Sequence, residues 1–275
     1  MTWNKEQKNE KQPKCFLCGS SLDFVCQKDI SLRESLCPIC GASRRNSDLA
    51  KIILDTFLQD SMLSLRTAIP KLAHLSIFEA QSTGMIHDTF AGLPHYICSE
   101  YFDNVDKSQK NKDGVMCQDL QDLTFHSDYF DLVITQDVLE HVGCPEKALS
   151  EIHRVLKPGG YHIFTIPYHE GKTTLIRITI EEGKKIQIYP PVFHGDPLRE
   201  QGALVYTDFG SDMKTIIEKQ GFSLESIPCG KWYSSSEIPY IMNEKEYQTY
   251  QKYSTEGCML KFFKYNSWVF RSKKK

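Results

Sequence analysis

No run of apolar residues in this 275-residue chain approaches the roughly 20 needed to span a bilayer, which excludes a membrane-crossing helix. Met1 to Lys14 is lysine-rich and lacks the apolar centre of a secretory signal, so the expected compartment is the cytoplasm. Neither sign of charge dominates: 33 basic residues against 35 acidic ones leave a net charge of −2. That balance gives no electrostatic case for a nucleic-acid partner, and Lys273-Lys274-Lys275 reads as a solvated tail. Internal repeats and extended low-complexity tracts are also missing, so a repeat array is not expected. What remains is a chain with 40% hydrophobic residues, long enough for one large domain and a small appendage.

Cysteine, by contrast, is plentiful, and ten of them in a reducing compartment point to metal binding or burial rather than disulfides. Cys15-Phe-Leu-Cys18 and Cys37-Pro-Ile-Cys40 stand 18 residues apart, and Gly19 and Gly41 follow the second cysteine of each pair. A Cys-x2-Cys turn aims both sulfurs at one point, and two such turns complete a tetrahedral thiolate site. Four thiolates leave no open position, so the expected ion is a structural Zn2+, with iron fitting the same donors. Residues 1–45 are therefore expected to be a four-cysteine zinc-binding module, too short to bury much core without the ion. Cys26 lacks a partner at knuckle spacing, and Cys98, Cys117, Cys144, Cys229 and Cys258 read as small buried hydrophobes. Arg44-Arg45-Asn46 reads as a solvated turn. Residues 46–70 follow as a linking helix, apolar at Leu49, Ile52, Ile53, Phe57, Leu58, Met62 and Leu65, that packs on a main domain of residues 71–275.

The most informative stretch is DYFDLVITQDVLEHVGCPEKALSEIHRVLKPGG, residues 128–160. Phe130 to Ile134 is the apolar run of a strand buried on both faces, and it ends in the polar Thr135-Gln136-Asp137. A helix is predicted from Pro145 to Leu156, with Ala148, Leu149, Ile152, Val155 and Leu156 on one face. Lys157-Pro158-Gly159-Gly160 stops it, and a new strand runs from Tyr161 to Ile166. In open parallel sheets of this kind ligands bind beyond the carboxyl ends of the strands.

FDLVITQDVLEHV and LKPGG together resemble the fourth and fifth core motifs of class I S-adenosylmethionine-dependent methyltransferases. Within that superfamily the chain resembles the small enzymes encoded among polysaccharide and secondary-metabolite genes, over about residues 70–230. The resemblance implies an α/β fold, a Rossmann-like doubly wound sheet, with S-adenosylmethionine as cofactor. A first strand, Leu75 to Glu79, then carries the cofactor loop through Ala80 to Gly84. The chain keeps Glu79 and Gly84 but has Ala80, Gln81 and Ser82 where that superfamily places glycines. A second strand ends at Glu100, where an acidic residue can accept both ribose hydroxyls, and Glu100-Tyr101-Phe102 resembles the family's SEYF segment. Asp119 resembles the aspartate that accepts from the adenine amino group, with Leu120 beside the ring. Gln136 and Asp137 would flank the methyl group, and His141 would orient a cofactor or substrate group.

Beyond the fifth strand a loop-rich insertion, residues 169–206, carries Tyr189-Pro190-Pro191-Val192-Phe193-His194-Gly195-Asp196-Pro197 as an expected specificity lid. His194 is the candidate base for an acceptor hydroxyl, with Asp196 positioned to hold its tautomer; a simple turn is the alternative. A helix over Ser211 to Gln220, a strand near Ser223 to Ile227 and a closing strand over Ser267 to Ser272 complete the domain. Tyr233 to Tyr253 would supply either core or acceptor-pocket aromatics. The leading expectation is O-methylation of a sugar or other small molecule. An RNA methyltransferase and a non-catalytic zinc and methyltransferase-like interaction protein are the alternatives, the latter supported only by the altered loop.

Overall fold

The computed structural model describes residues 15–25, 32–59, 63–196, 199–229 and 267–275. Cys26, Met62, Pro197, the Tyr233 to Tyr253 segment and Cys258 lie outside them. The chain forms two compact units, one of residues 1–68 and 228–267, the other of residues 69–227 and 268–275. Among the described residues no helix is long and apolar enough to cross a membrane.

The expected linking helix is two helices, α1 (Arg44–Phe57) and α2 (Leu65–Leu72). α1 starts earlier than its apolar pattern suggests because Ser43 and Asn46 form a reciprocal capping box. Arg44 is consequently not in a solvated turn; it is 2% exposed and lies 4.7 Å above the Phe24 ring. α1 is joined to the cysteine segment by the Phe16 amide, which donates to Ser47 Oγ at 2.9 Å. The Leu65 amide at the start of α2 donates to the Phe16 carbonyl at 2.8 Å.

The second unit is a mixed α/β sheet. Its strands are β1 (Ile77–Glu79), β2 (Tyr96–Glu100), β3 (Met116–Cys117), β4 (Phe130–Gln136) and β5 (Leu156–Thr165), with α3 (Met85–Phe90) and α4 (Pro145–Val155) between them. β13 (Phe222–Pro228) and β14 (Trp268–Lys274) complete a seven-stranded sheet in the order β13-β14-β5-β4-β1-β2-β3. β1 pairs in parallel with both β2 and β4, while β14 runs antiparallel to β5. The strand order thus reverses at β1 and β4, which opens a crevice at their carboxyl ends. Phe130 and Val133 of β4 pack with Ala148, Leu149 and Ile152 of α4, which is why both elements carry so legible an apolar pattern. Lys157-Pro158-Gly159-Gly160 is not a separate turn: it lies within β5, which begins at Leu156 directly after α4, five residues before the predicted start, and the pairing with β4 shifts register there. A Cβ at Gly160 would lie 2.9 Å from the Lys157 carbonyl oxygen, so glycine is required there.

The insertion is not loop-rich. It folds into β6 (Tyr168–His169), β7 (Leu175–Ile176), β8 (Ile178–Glu181), β9 (Lys184–Gln187), β10 (Phe193–Asp196), β11 (Arg199–Leu204) and β12 (Thr207–Gly210), with α5 (Met213–Lys219) after them. β8 and β9 form a hairpin whose turn residues Glu182 and Gly183 have φ of 50° and 77°, the double positive that suits strand twist. β10 and β11 form a second hairpin, and β12 lies between β6 and β7. Of the scattered cysteines, Cys117 and Cys229 are buried as expected, Cys98 is half-buried, and Cys144 is exposed just before α4.

Glu79 ties the three central strands together. It is fully buried at the end of β1; Oε2 accepts from the Tyr96 hydroxyl of β2 at 2.8 Å, and Oε1 accepts from Gln136 Nε2 of β4 at 2.9 Å. Burial pushes its carboxyl up from 4.5 to about 8, against the two donated hydrogen bonds. A raised acid pKa means the folded chain holds a proton that the unfolded chain releases. The resulting stabilisation is complete below about pH 4.5 and is lost as pH rises through about 8. In Glu79→Gln the amide can donate to the Tyr96 oxygen, whose proton can pass to His87 Nδ1 at 2.8 Å. Urea unfolding should therefore show the variant gaining on the wild type from about pH 5 to about pH 9. A stability difference that stays constant over that range would contradict the account.

Candidate functional site

The loop after β1 explains its own departure from a glycine-rich sequence. Gln81 Oε1 accepts from Gln136 Nε2 at 3.2 Å, and Ser82 donates to Glu100 Oε1 through its amide at 2.8 Å and its hydroxyl at 3.1 Å. Ala80 continues the parallel ladder, its amide donating to the Ile134 carbonyl at 3.0 Å. Gly84 alone takes a positive φ, 98°, where the loop turns into α3. Gln81, Ser82 and Glu100 thus bridge the ends of β4, β1 and β2 across the crevice. Burial raises the Glu100 carboxyl above its ordinary range, opposed by the two bonds from Ser82.

The other expected cofactor residues are distributed unevenly. Glu79 lies beneath the loop with its oxygens engaged by protein groups. Asp137 stands at the end of β4 with φ of 54°, its Oδ1 accepting from Thr165 Oγ1 at 3.0 Å. Left-handed backbone at a non-glycine residue is costly and is typical of functional loops. Asp119 Oδ1 accepts from the Gln121 amide at 2.8 Å, closing a turn after β3. Leu120 is 6% exposed and belongs to the core, which departs from a place beside an adenine ring. Tyr101 is exposed, and its carbonyl accepts from Arg199 Nη2 of β11 at 2.8 Å.

Beyond the end of β4 the structure brings His141 and His194 together, with ring centroids 5.1 Å apart. The carboxylate near them is Glu140, not Asp196. Asp196 pairs with Arg199, and a register shift lies between His194 and Asp196 in β10. Glu140 Oε1 lies 3.6 Å from His141 Nε2 and 3.7 Å from His194 Nδ1. Its side chain is 2% exposed, and neither carboxylate oxygen makes a hydrogen bond. His141 Nδ1 is 2.8 Å from the Leu204 carbonyl, so that nitrogen carries a proton, and Nε2 is the ring nitrogen that faces Glu140. The β10–β11 hairpin thereby reaches the end of β4 through His194 and Leu204, and the end of β2 through Arg199.

The four amino-terminal cysteines also converge, with all sulfurs within 4.8 Å of one another. Cys15–Cys40 and Cys18–Cys37 are both 3.8 Å apart. Zinc–sulfur bonds of about 2.3 Å in a tetrahedron place the sulfurs about 3.8 Å apart, so the donor set fits that ion. The two turns are built alike. Gly19 and Gly41, with φ of 86° and 75°, donate their amides to the Cys15 and Cys37 carbonyls.

Residues 83–164 match the methyltransferase domain family. No curated protein matches the chain. Among solved structures it is similar to an S-adenosylmethionine-dependent methyltransferase from Mesorhizobium loti, 14% identical, over 76% of this chain and 95% of that one, with a TM-score of 0.42. It is also similar to the YcgJ protein of Bacillus subtilis, 12% identical, over 77% and 98% of the two chains, with a TM-score of 0.39. A third is phosphoethanolamine N-methyltransferase 2 of Haemonchus contortus, 15% identical, over 84% and 57%, with a TM-score of 0.37. The strand order with its antiparallel β14 gives the second unit a mixed α/β sheet of the class I methyltransferase type, and residues 83–164 within it match the methyltransferase domain family.

Proposed function

We propose that the chain methylates a hydroxyl oxygen of a sugar or similar small polar acceptor, and that Cys15, Cys18, Cys37 and Cys40 hold a structural Zn2+. The observation that carries the acceptor reading is the Glu140–His141–His194 cluster, directly after the end of β4. Bound S-adenosylmethionine supplies an electrophilic methyl group on a cationic sulfur. Glu100 faces the ribose hydroxyls, and Ser82 fixes the orientation of its carboxylate. Asp119 accepts from the adenine amino group with its turn held by Gln121. Gln136 and Asp137 border the methyl position, and Tyr101 lines the cofactor end of the crevice. His141, His194 and Glu140 position the acceptor hydroxyl in line and assist loss of its proton. Asp196 supports the hairpin through Arg199 rather than His194 directly.

The bonds of Gln81 and Ser82 account for the altered loop, the sole sequence support for a non-catalytic protein. An RNA acceptor finds no support in a net charge of −2.

Transfer of labelled methyl from S-adenosylmethionine should reach a sugar or polyol acceptor and not RNA. Label recovered in RNA alone would reject the acceptor reading. Glu100→Gln should weaken cofactor binding by about tenfold or more, as loss of a charged hydrogen-bond acceptor does. His141→Ala should leave cofactor affinity unchanged while lowering kcat by about 10²- to 10⁴-fold. Unchanged turnover in His141→Ala would remove that residue from catalysis. For the cysteine site, Cys37→Ser combined with Cys40→Ser should release one zinc per chain and lower the melting temperature. Retention of the full zinc content would contradict the assignment.

A further inference from the structure

We infer that Glu140, His141 and His194 form a binding site for a first-row divalent metal ion at the acceptor end of the crevice. The ligand atoms lie within 4.8 Å of one another. Glu140 is almost wholly enclosed, yet both of its oxygens lack a hydrogen-bond donor. A buried carboxylate left in that state costs several kcal/mol, so the fold has a reason to supply a cation. The imidazoles do not satisfy it: at 3.6 and 3.7 Å they stand beyond hydrogen-bond range.

The arrangement also has the secondary features of a metal site. A ligating histidine usually donates its second ring N–H to a carbonyl or carboxylate, which fixes the tautomer and the ring plane. His141 does so at the Leu204 carbonyl, 2.8 Å away, leaving Nε2, on the Glu140 side, as the atom that would ligate the ion. Metal–ligand bonds of about 2.1 Å place neighbouring ligand atoms roughly 3.0–3.4 Å apart, a few tenths of an ångström closer than the imidazole–carboxylate pairs stand here. Two imidazole nitrogens and one carboxylate oxygen select zinc, manganese or iron(II) over the all-oxygen preference of calcium and magnesium. Three protein ligands leave positions open, unlike the closed four-cysteine site.

The use of the ion in catalysis, though not the site itself, rests on the hydroxyl-acceptor reading above. The acceptor hydroxyl would occupy an open position and release its proton to water. Its oxygen lone pair would then form the new O–CH3 bond while the S–CH3 bond breaks, its electron pair remaining on sulfur as a neutral thioether.

The test is titration of the full chain with Mn2+, followed by the electron paramagnetic resonance signal of the free ion. Mn2+ suits the nitrogen and oxygen donors and is a poor match for thiolates. The expected result is one saturable site per chain, unchanged in Cys37→Ser, and weakened by about a hundredfold or more in both Glu140→Gln and His194→Ala. Mn2+ should raise the melting temperature of the wild type and not of these variants. Glu140→Gln replaces an unsatisfied charge by a neutral amide, so its metal-free melting temperature should not fall, which separates lost ligation from lost folding. No saturable site in the wild type, or a site retained in both variants, overturns the proposal. S-adenosylmethionine binding to the metal-free chain is read separately. Cofactor binding without a Mn2+ site overturns the metal proposal and leaves the methyltransferase reading standing. A Mn2+ site without methyl transfer to any hydroxyl supports the site and removes its catalytic use.

Discussion

The buried carboxylate of Glu79 sits where the strand order reverses, and the crevice depends on how that charge is managed. A polar group at this depth must be fully hydrogen-bonded or neutralised, and Glu79 uses both routes. Tyr96 and Gln136 donate to it from the strands on either side, and its carboxyl is held up to about 8. The same Gln136 amide donates to Gln81, so the position of the loop above is coupled to the charge beneath. Ser82 extends the connection to Glu100 on β2. The floor and rim of the crevice form one polar network rather than separate residues placed by separate causes.

The opposite rim is built differently. Glu140 and His141 lie in a 3-10 turn directly after β4, whereas His194, Leu204 and Arg199 arrive on the β10–β11 hairpin. Backbone bonds hold the two segments in register: the Tyr206 amide donates to the Glu140 carbonyl at 2.8 Å. The sheet therefore fixes one half of the Glu140–His141–His194 cluster, and an insertion between β5 and α5 supplies the other. Division of labour of this kind lets a common sheet serve many acceptors through changes in loops and hairpins.

The elements most legible in the sequence are those whose own residue pattern records their packing. The buried strand β4 reads as an apolar run, α4 reads by its 3.6-residue period, and the paired cysteines read by spacing alone. The insertion reads wrongly as loop because its strands are short and largely exposed, so no apolar alternation announces them; the Glu182-Gly183 turn is the available signal. Arg44 reads wrongly as solvated because the aromatic ring that covers it comes from a separate segment, at Phe24. Glu140 escapes notice for a related reason. Nothing in its sequence neighbourhood singles it out, and only the arrival of His194 from the distant hairpin gives it meaning. Asp196 has the sequence proximity to His194 but not the geometry, since the register shift in β10 separates two side chains that a regular strand would place on one face.

On the proposed reading the crevice between β1 and β4 binds S-adenosylmethionine despite a loop with few glycines. Titration calorimetry of the wild-type chain with S-adenosylmethionine, and with its demethylated product, tests this most directly. The account predicts saturable binding of both ligands, one per chain, with a negative heat-capacity change as the adenine and methionine parts are buried. The absence of heat together with the absence of any thermal stabilisation by either ligand would contradict it, and would reduce the Gln81–Ser82–Glu100 network to a structural brace.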